Sequence, residues 1–412
     1  MKRKIAIFTG NRAEYGLQFP VIQAVSRHPD LDYFLLVSGA HLERDFGRTI
    51  REINDDGFRI HREVSLEFAR DSLYGFPIYR ELNLECDQDS LYGTVRAIAS
   101  GILNLSVILD ELRPDIVLVY ADRFEGFSAV ITATQMGIPT GHLEGGDITQ
   151  GGALDDSVRH AMSKLAHLHF TTNEEAAQRL RNMGEEPWRV HNVGFPAIDL
   201  IAEGNFADPR TLAAKYGIDP SRPLVIFTQH SVTTQSEEGV AQVMPSLAAL
   251  ETLARDGVQV VLTYPNNDAG GKRIIAELEG IASKKIPGMI LHRSLGRYDY
   301  HGMLAICGRT GRGVCVGNSS SGIKETPALG CPAVNIGTRQ DGRLRSTNVI
   351  DTGYDQAAIL AAIRKCLFDE TFRAACLSCD NPYGKGNAGR RTAEILATVE
   401  LGSKILTKKV TV

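Results

Sequence analysis

The sequence predicts an α/β protein made of two Rossmann-like domains facing across a cleft. Three observations predict it. Short apolar runs alternate with amphipathic stretches along the chain, the pattern of parallel sheets joined by right-handed helical crossovers. The apolar runs lack strict polar alternation, as strands buried on both faces do. The alternation pauses once and then restarts, and 412 residues are comfortable for two cores and too many for one.

In the first half the strands are Lys4–Thr9, Asp32–Ser38, Ile116–Tyr120, Thr140–Leu143 and Leu168–Thr172. Amphipathic helices fall at about Tyr15–Ser26, His41–Asp55, Leu91–Leu112, Phe124–Met136 and Ser157–Lys164. The pause runs from about Phe195 to Arg222, holds Pro196, Gly204, Pro209, Gly217 and Pro220 around a short helical piece, and reads as an interdomain connector. Strands resume at Leu224–Thr228, Gln259–Thr263, Met289–His292, Gly313–Val316 and Ala333–Ile336, with helices between most of them. A last helix, about Gly389–Leu401, is available to pack back on the first half. The expected division is a first domain over 1–200, joined by a C-terminal helix at 385–405, and a second over 201–384.

Composition narrows the function. Hydrophobic residues make up 43% and charged residues 23%, with a net charge of −4. A nucleic-acid partner calls for a basic excess or stripe, and neither is there. No apolar stretch reaches the roughly 20 residues that span a bilayer, so no membrane association is expected. MKRKIAIFTG has a basic tip, but its apolar run is short for a signal peptide and reads as a first buried strand. Seven cysteines form no framework, and Cys376 and Cys379 make a lone CxxC without histidines at ligand spacing. Reduced thiols in a cytoplasmic protein are the expectation, with no structural zinc.

In open parallel sheets, ligands bind outside the carboxyl ends of strands, and the polar motifs follow strands. TGNRAEYG, Thr9–Gly16, comes directly after the first strand; Gly10 permits a tight turn, and Arg12 can meet an anion at a helix start. The plain alternative is a βα loop with Arg12 in solvent. It is no dinucleotide fingerprint. Gly308, Gly311 and Gly313 precede a strand, the wrong context for a phosphate loop. Neither a nicotinamide cofactor nor a Walker A site is expected.

ADRFEG, Ala121–Gly126, puts Asp122 and Arg123 at a strand end, where buried charge is costly unless used or paired. An Asp–Arg pair capping the next helix is the competing reading. GHLEGGD, Gly141–Asp147, offers His142 and Glu144 before two glycines. LDDSVRH, Leu154–His160, adds Asp155 and Asp156; one of them could cap the helix and pair with Arg159, which is also a candidate substrate contact. Acidic clusters this close point to acid–base chemistry. Metal binding ranks second, because EF-hand and HExxH spacings are missing.

In the second half, TQHSVTT, Thr228–Thr234, puts His230 after the first strand at the ligand edge. GNSSSGIKETPALG, Gly317–Gly330, follows a strand and opens a helix. Ser319, Ser320, Ser321 and Gly322 there offer hydroxyls and backbone N–H groups, a phosphate cradle, or more plainly a serine-rich turn with an N-cap. Glu325 would repel phosphate and suits a ribose diol better.

With these segments in hand, the chain resembles the hydrolysing UDP-N-acetylglucosamine 2-epimerase family, in its branch serving sialic-acid and legionaminic-acid synthesis. The resemblance runs from TGNRAEYG through SGAHLERDFG, ADRFE, HLEGGD, DDSVRHAMSKLAHLHF, QHSVTT and NSSSGIKETPALG to GTRQDGR. Each string alone is weak; the set in this order is highly specific. The resemblance implies a glycosyltransferase-B-like fold, no redox cofactor, no catalytic metal and a homo-oligomer, dimer or tetramer. It implies anti elimination of UDP to a 2-acetamidoglucal, then syn addition of water to give a free N-acetylmannosamine-type sugar. Asp122, Glu144 and one or both of Asp155 and Asp156 match its catalytic carboxylates. Arg12 and His41 match substrate contacts, His230 the histidine at the departing diphosphate, Ser319–Ser321 the diphosphate cradle, Glu325 the ribose contact and Arg339 a nucleotide-side arginine. Two departures stand out: the family usually has glycine at Ala121, and the stretch between Glu144 and Asp155 is longer than in the animal relative. UDP-N-acetylglucosamine is the expected substrate; UDP-N,N′-diacetylbacillosamine, a GDP-sugar, a glycosyltransferase activity and a silent sugar-nucleotide sensor are the alternatives.

Overall fold

Seven strands, all parallel, make the sheet of the first unit. They are β1 (Arg3–Thr9), β2 (Leu31–Ser38), β3 (Ile60–Val64), β4 (Ile116–Tyr120), β5 (Thr140–Leu143), β6 (Leu168–Thr171) and β7 (Val190–Asn192), ordered β3-β2-β1-β4-β5-β6-β7. The second unit has β8 (Leu224–Thr228), β9 (Gln259–Thr263), β10 (Met289–His292), β11 (Gly313–Gly317), β12 (Ala333–Ile336) and β13 (Val349–Thr352), ordered β10-β9-β8-β11-β12-β13 and again parallel. Each unit thus repeats one doubly wound order. Its direction reverses between the first strand and its later neighbour, at β1/β4 and at β8/β11. The computed structural model describes residues 2–42, 49–66, 91–149, 153–266 and 270–411.

The first unit comprises Met1–Asp147, Leu154–Pro196 and Asn387–Val412; the second comprises Ile148–Ala153 and Ala197–Gly386. The helix Ala388–Thr398 packs against the helix Arg12–Arg27. The Pro/Gly-rich stretch read as a connector is folded into the second unit. Asp208 caps the helix Pro209–Tyr216, left-handed Gly217 ends it, and Leu212, Tyr216 and Ile218 are buried against β8 and its neighbours. Those prolines mark helix boundaries, at N1 and beyond the cap, where they cost nothing.

Burial on both faces is visible along β8. Val225 and Phe227 face the helices Gly239–Arg255 and Gln356–Phe368, while Leu224 and Ile226 face the helix Gly296–Cys307. That is why the strand reads as a continuous apolar run. The strands β3, β7 and β13 were not legible in the sequence, and all three lie at sheet edges. An edge strand is covered less, so IHREV, VHN and VIDT carry polar residues at half-exposed positions.

The helix expected over His41–Asp55 is corrected: His41 ends a one-turn 3-10 helix, Gly39–His41, and an α-helix covers Ile50–Asp55. The residues at 43–48 between them lie outside the described ones. Conversely the helix expected at Ser157 starts earlier, at Ala153, which puts Asp155 and Asp156 in its first turn.

Candidate active site

In the first unit the charged motifs gather at the reversal between β1 and β4. Asp122 leaves the end of β4 and forms a close ion pair with Arg159 Nη2. Arg159 Nη1 donates to Asp156 Oδ1 at 2.5 Å and to the Asp147 carbonyl at 2.9 Å. Arg159 is only 2% exposed. Burial alone would lower its pKa, but Asp122, Asp147 and Asp156 together hold it above its ordinary value. The structure therefore turns Arg159 toward carboxylates, as a clamp that brings Asp122 and Asp156 together. The side chain of Asp155 lies outside the described ones.

The competing reading of an Asp122–Arg123 pair as the helix cap is not what the structure has. Arg123 itself is the N-cap of the helix Phe124–Gln135, with no side-chain capping bond, and its guanidinium lies 3.4 Å from Glu125.

Backbone geometry aims these side chains. Ala121 (φ 52) and Glu144 (φ 63) are both left-handed, a costly state for residues with a Cβ and one that clusters at functional sites. Each is tied to the next strand: Ala121 N–H donates to the Leu143 carbonyl and Glu144 N–H to the Phe170 carbonyl, both at 2.9 Å. A left-handed turn favours glycine, the residue that the resemblance led us to expect where this chain has Ala121. His142 Nε2 donates to the Ala121 carbonyl at 2.6 Å, and burial lowers its pKa to about 3, so it is a neutral brace.

His41 is buried, with Nε2 3.1 Å from Thr9 Oγ1 and Nδ1 2.8 Å from Thr49 Oγ1. Burial takes its pKa down to about 4, so it is neutral near pH 7. Arg12 pairs with Glu52 at 2.7 Å, and Glu144 is buried.

In the second unit the motifs gather at the other reversal, β8/β11. Asn318, at the end of β11, grips the backbone of His230, at the end of β8: His230 N–H donates to Asn318 Oδ1 at 2.7 Å, and Asn318 Nδ2 donates to the His230 carbonyl at 2.8 Å. The Asn318 carbonyl accepts from Arg339 Nη1 at 3.2 Å and from Gln340 Nε2 at 2.8 Å. The Asn266 N–H donates to His230 Nδ1 at 3.0 Å. An accepting Nδ1 carries no hydrogen, so neutral His230 has its hydrogen on Nε2.

The serine loop differs from expectation. The helix it opens is one turn long, Ser321–Lys324, followed by a 3-10 turn at Thr326–Leu329. So short a helix has few aligned peptides, and its dipole contribution is small. Ser319, Ser320 and Gly322 are half-buried, whereas Ser321 is buried, 2.5 Å from the Tyr300 hydroxyl and 3.1 Å from Ser319 Oγ. Glu325 Oε2 lies 2.9 Å from His301 Nε2, with both residues buried.

The family model described as UDP-N-acetylglucosamine 2-epimerase matches residues 23–397. The chain belongs to this 2-epimerase family. It is 32% identical over 409 residues, 99% of each chain, to a UDP-N,N′-diacetylbacillosamine 2-epimerase (hydrolyzing) from Legionella pneumophila. It is 31% identical over 405 residues, covering 97% of this chain and 96% of the relative, to a UDP-N-acetylglucosamine 2-epimerase from Neisseria meningitidis. A crystal structure of UDP-GlcNAc 2-epimerase from Neisseria meningitidis bound to UDP-GlcNAc superposes with a TM-score of 0.76, covering 96% of this chain and 99% of that one. At 18% identity, that likeness shows the shared glycosyltransferase-B-like fold.

Several residues in these two clusters escaped the sequence reading. Glu14, Glu125 and Asn318 lie inside motifs already singled out, one to three positions from the residues chosen. Tyr300 and His301 sit in the helix Gly296–Cys307, and nothing local marks them, because their partners Ser321 and Glu325 come from a different part of the chain. Cys376 is buried at the end of the helix Glu370–Leu377, and Cys379 Sγ lies 3.8 Å from the Pro327 carbonyl.

Proposed function

We propose that the protein is a hydrolysing 2-epimerase. It converts UDP-N-acetylglucosamine, or a close 2-acetamido UDP-sugar, to the free manno-configured sugar and UDP, for sialic- or legionaminic-acid synthesis in the cytoplasm. The observation that carries the reading is the set of carboxylates in the first unit, Asp122 after β4 and Asp156 in the helix Ala153–Leu165, both held by Arg159, with Glu144 directly after β5, in a chain with full-length likeness to a hydrolysing relative.

Breaking the anomeric C–O bond develops positive charge on the sugar and negative charge on UDP. Asp122, Glu144 and Asp155 or Asp156 stabilise the sugar and move the protons at C2 and to water. His230 offers its Nε2–H to the departing diphosphate, beside Ser319, Ser320 and Gly322 and the guanidinium of Arg339. Glu325, steadied by His301, accepts from the ribose. Arg12 and His41 border the sugar side. No metal or redox cofactor enters these steps, so activity should survive chelator and need no NAD.

A second substrate reading, UDP-N,N′-diacetylbacillosamine, is favoured by the Legionella relative's name. The test is a panel of UDP- and GDP-sugars scored by nucleotide release and product NMR. Release without an acceptor supports a hydrolase, release only with an acceptor a glycosyltransferase, and binding without release a sensor.

Assembly as a homo-oligomer is supported by an apolar stripe on the helix Leu91–Leu112. Val95, Leu103 and Val107 are 64%, 47% and 60% exposed, and their spacing of eight and four residues keeps them on one face. Lysine at Leu103 and Val107 together should reduce the mass seen by light scattering; a wild-type monomer at working concentrations would refute the assembly. Among the described residues no helix is long and apolar enough to cross a membrane.

A further inference from the structure

Two glutamates meet beside the loop that carries Asp122. Glu14, in the first turn of the helix Arg12–Arg27, is 5% exposed; Glu125, in the first turn of the helix Phe124–Gln135, is 2% exposed. Both lie against Gly10. The Gly10 N–H donates to Glu14 Oε2 at 2.8 Å. A Cβ on Gly10 would sit 2.8 Å from Glu125 Cβ and 3.1 Å from its carboxyl carbon, so glycine is what leaves room for Glu125. On another side, a Cβ on left-handed Gly39 would come within 3.1 Å of Glu125 Oε1. Glu125 Oε2 faces the Arg123 guanidinium. Glu14 Oε1 is buried and has no hydrogen-bond partner among the described residues.

Two ionised carboxylates buried against Gly10 would leave negative charge that one guanidinium, that of Arg123, does not balance. Because Glu14 Oε2 accepts from Gly10, the free position for a proton is Oε1. We propose that Glu14 and Glu125 are a positioning pair that carries a single proton, resident on Glu14 Oε1, that this proton keeps the Ala121–Glu125 loop in working geometry, and that its loss sets the alkaline limit of the reaction. With Glu14 neutral, Glu125 and Arg123 form a balanced pair. With Glu14 ionised, two negative charges press on one loop, and Asp122 moves with it.

Burial first, and the charge of Glu125 second, push Glu14 up to about 8, against the pull of the Gly10 N–H and of Arg123; Asp122 adds to the rise. The other groups around this helix do not compete for the proton: Arg12 is paired with Glu52, Asp56 accepts from the Tyr15 hydroxyl, and His41 is neutral. The folded chain binds this proton more tightly than the unfolded chain. The contribution of Glu14 to stability therefore falls as pH rises from the ordinary carboxyl range through about 8.

The kinetic part of this inference rests on the 2-epimerase reading; the protonation part does not. NMR of side-chain carboxyls in glutamate-labelled wild-type protein should show one glutamate titrating near pH 8, absent from Glu14→Gln. Gln keeps the acceptor for Gly10 and the shape of the neutral acid. This variant should therefore release UDP near wild-type rates at neutral pH, with its alkaline limb displaced upward. An unchanged alkaline limb, or a folded Gln variant without activity, would overturn the proposal. So would a wild type in which no glutamate titrates above neutral pH, even if the variant failed to fold. If wild type released nucleotide from no sugar nucleotide, the enzymatic reading would fail while the NMR titration still decided the single proton.

Discussion

Asp122, after β4, and His230, after β8, each lie just past a strand that borders the reversal point of its own sheet, yet they are held by different forces. Around Asp122, charge holds charge: Arg159 bridges Asp122 and Asp156, and Arg123 faces Glu125. Around His230, neutral groups hold backbone: the Asn318 amide grips it from two sides and the Asn266 N–H fixes the ring. On the proposed reading, the region that manages proton transfer and a cationic sugar carries its own ionisable groups, whose states depend on one another. The region proposed to receive an anionic leaving group is preset mainly by amides and hydroxyls, which do not titrate and need not reorganise when charge arrives.

Breaking the first region should cost most. Arg159→Leu leaves Asp122 and Asp156 without their buried cation, and the loss should be about 3 kcal/mol of unfolding free energy, read by denaturant titration. Wild-type stability in that variant would mean that the clamp carries no structural weight and that Arg159 serves a ligand instead.

Asp122→Asn should lower kcat by roughly 10²-fold or more while leaving UDP affinity near normal by calorimetry. Glu325→Ala should do the reverse, weakening UDP binding by about 1–3 kcal/mol through the loss of a ribose acceptor. The opposite ordering would break the division of sugar chemistry from nucleotide binding between the two regions.

The smallest effect belongs to Asn318→Asp. It keeps the acceptor for the His230 N–H and loses the donor to its carbonyl, so UDP affinity should fall by about 1 kcal/mol. It should also add a pH dependence that the neutral amide does not have. An unaltered pH profile would show that this region tolerates charge as readily as the first.

How much of this was legible in the sequence follows from the same contrast. The central strands were readable because burial on both faces writes a continuous apolar run, as in IVLVY of β4 and LVIFT of β8. The edges β3, β7 and β13 were not, because a half-covered strand may be as polar as a loop. That polar motifs follow the strands was readable, because the apolar runs before them are. The partners of side chains inside them were less so. Arg159 read both as a partner for an aspartate and as a substrate contact, and only the structure shows its burial among carboxylates; the Tyr300 partner of Ser321 comes from elsewhere in the chain. Pairings such as His301 with Glu325 are tertiary facts that no local spacing encodes. Ala121 is the converse case: its departure from the expected glycine was visible in sequence, and its physical meaning, a left-handed turn, only in structure.

Hydrolytic epimerisation through elimination must bring a solvent hydrogen to C2, and product analysis in D2O reads that hydrogen. Incubation with UDP-N-acetylglucosamine, and in parallel with UDP-N,N′-diacetylbacillosamine, should give free UDP and a free manno-configured sugar that carries deuterium at C2 from one of the two. A product that remains UDP-linked, or a released sugar with only protium at C2, would contradict it.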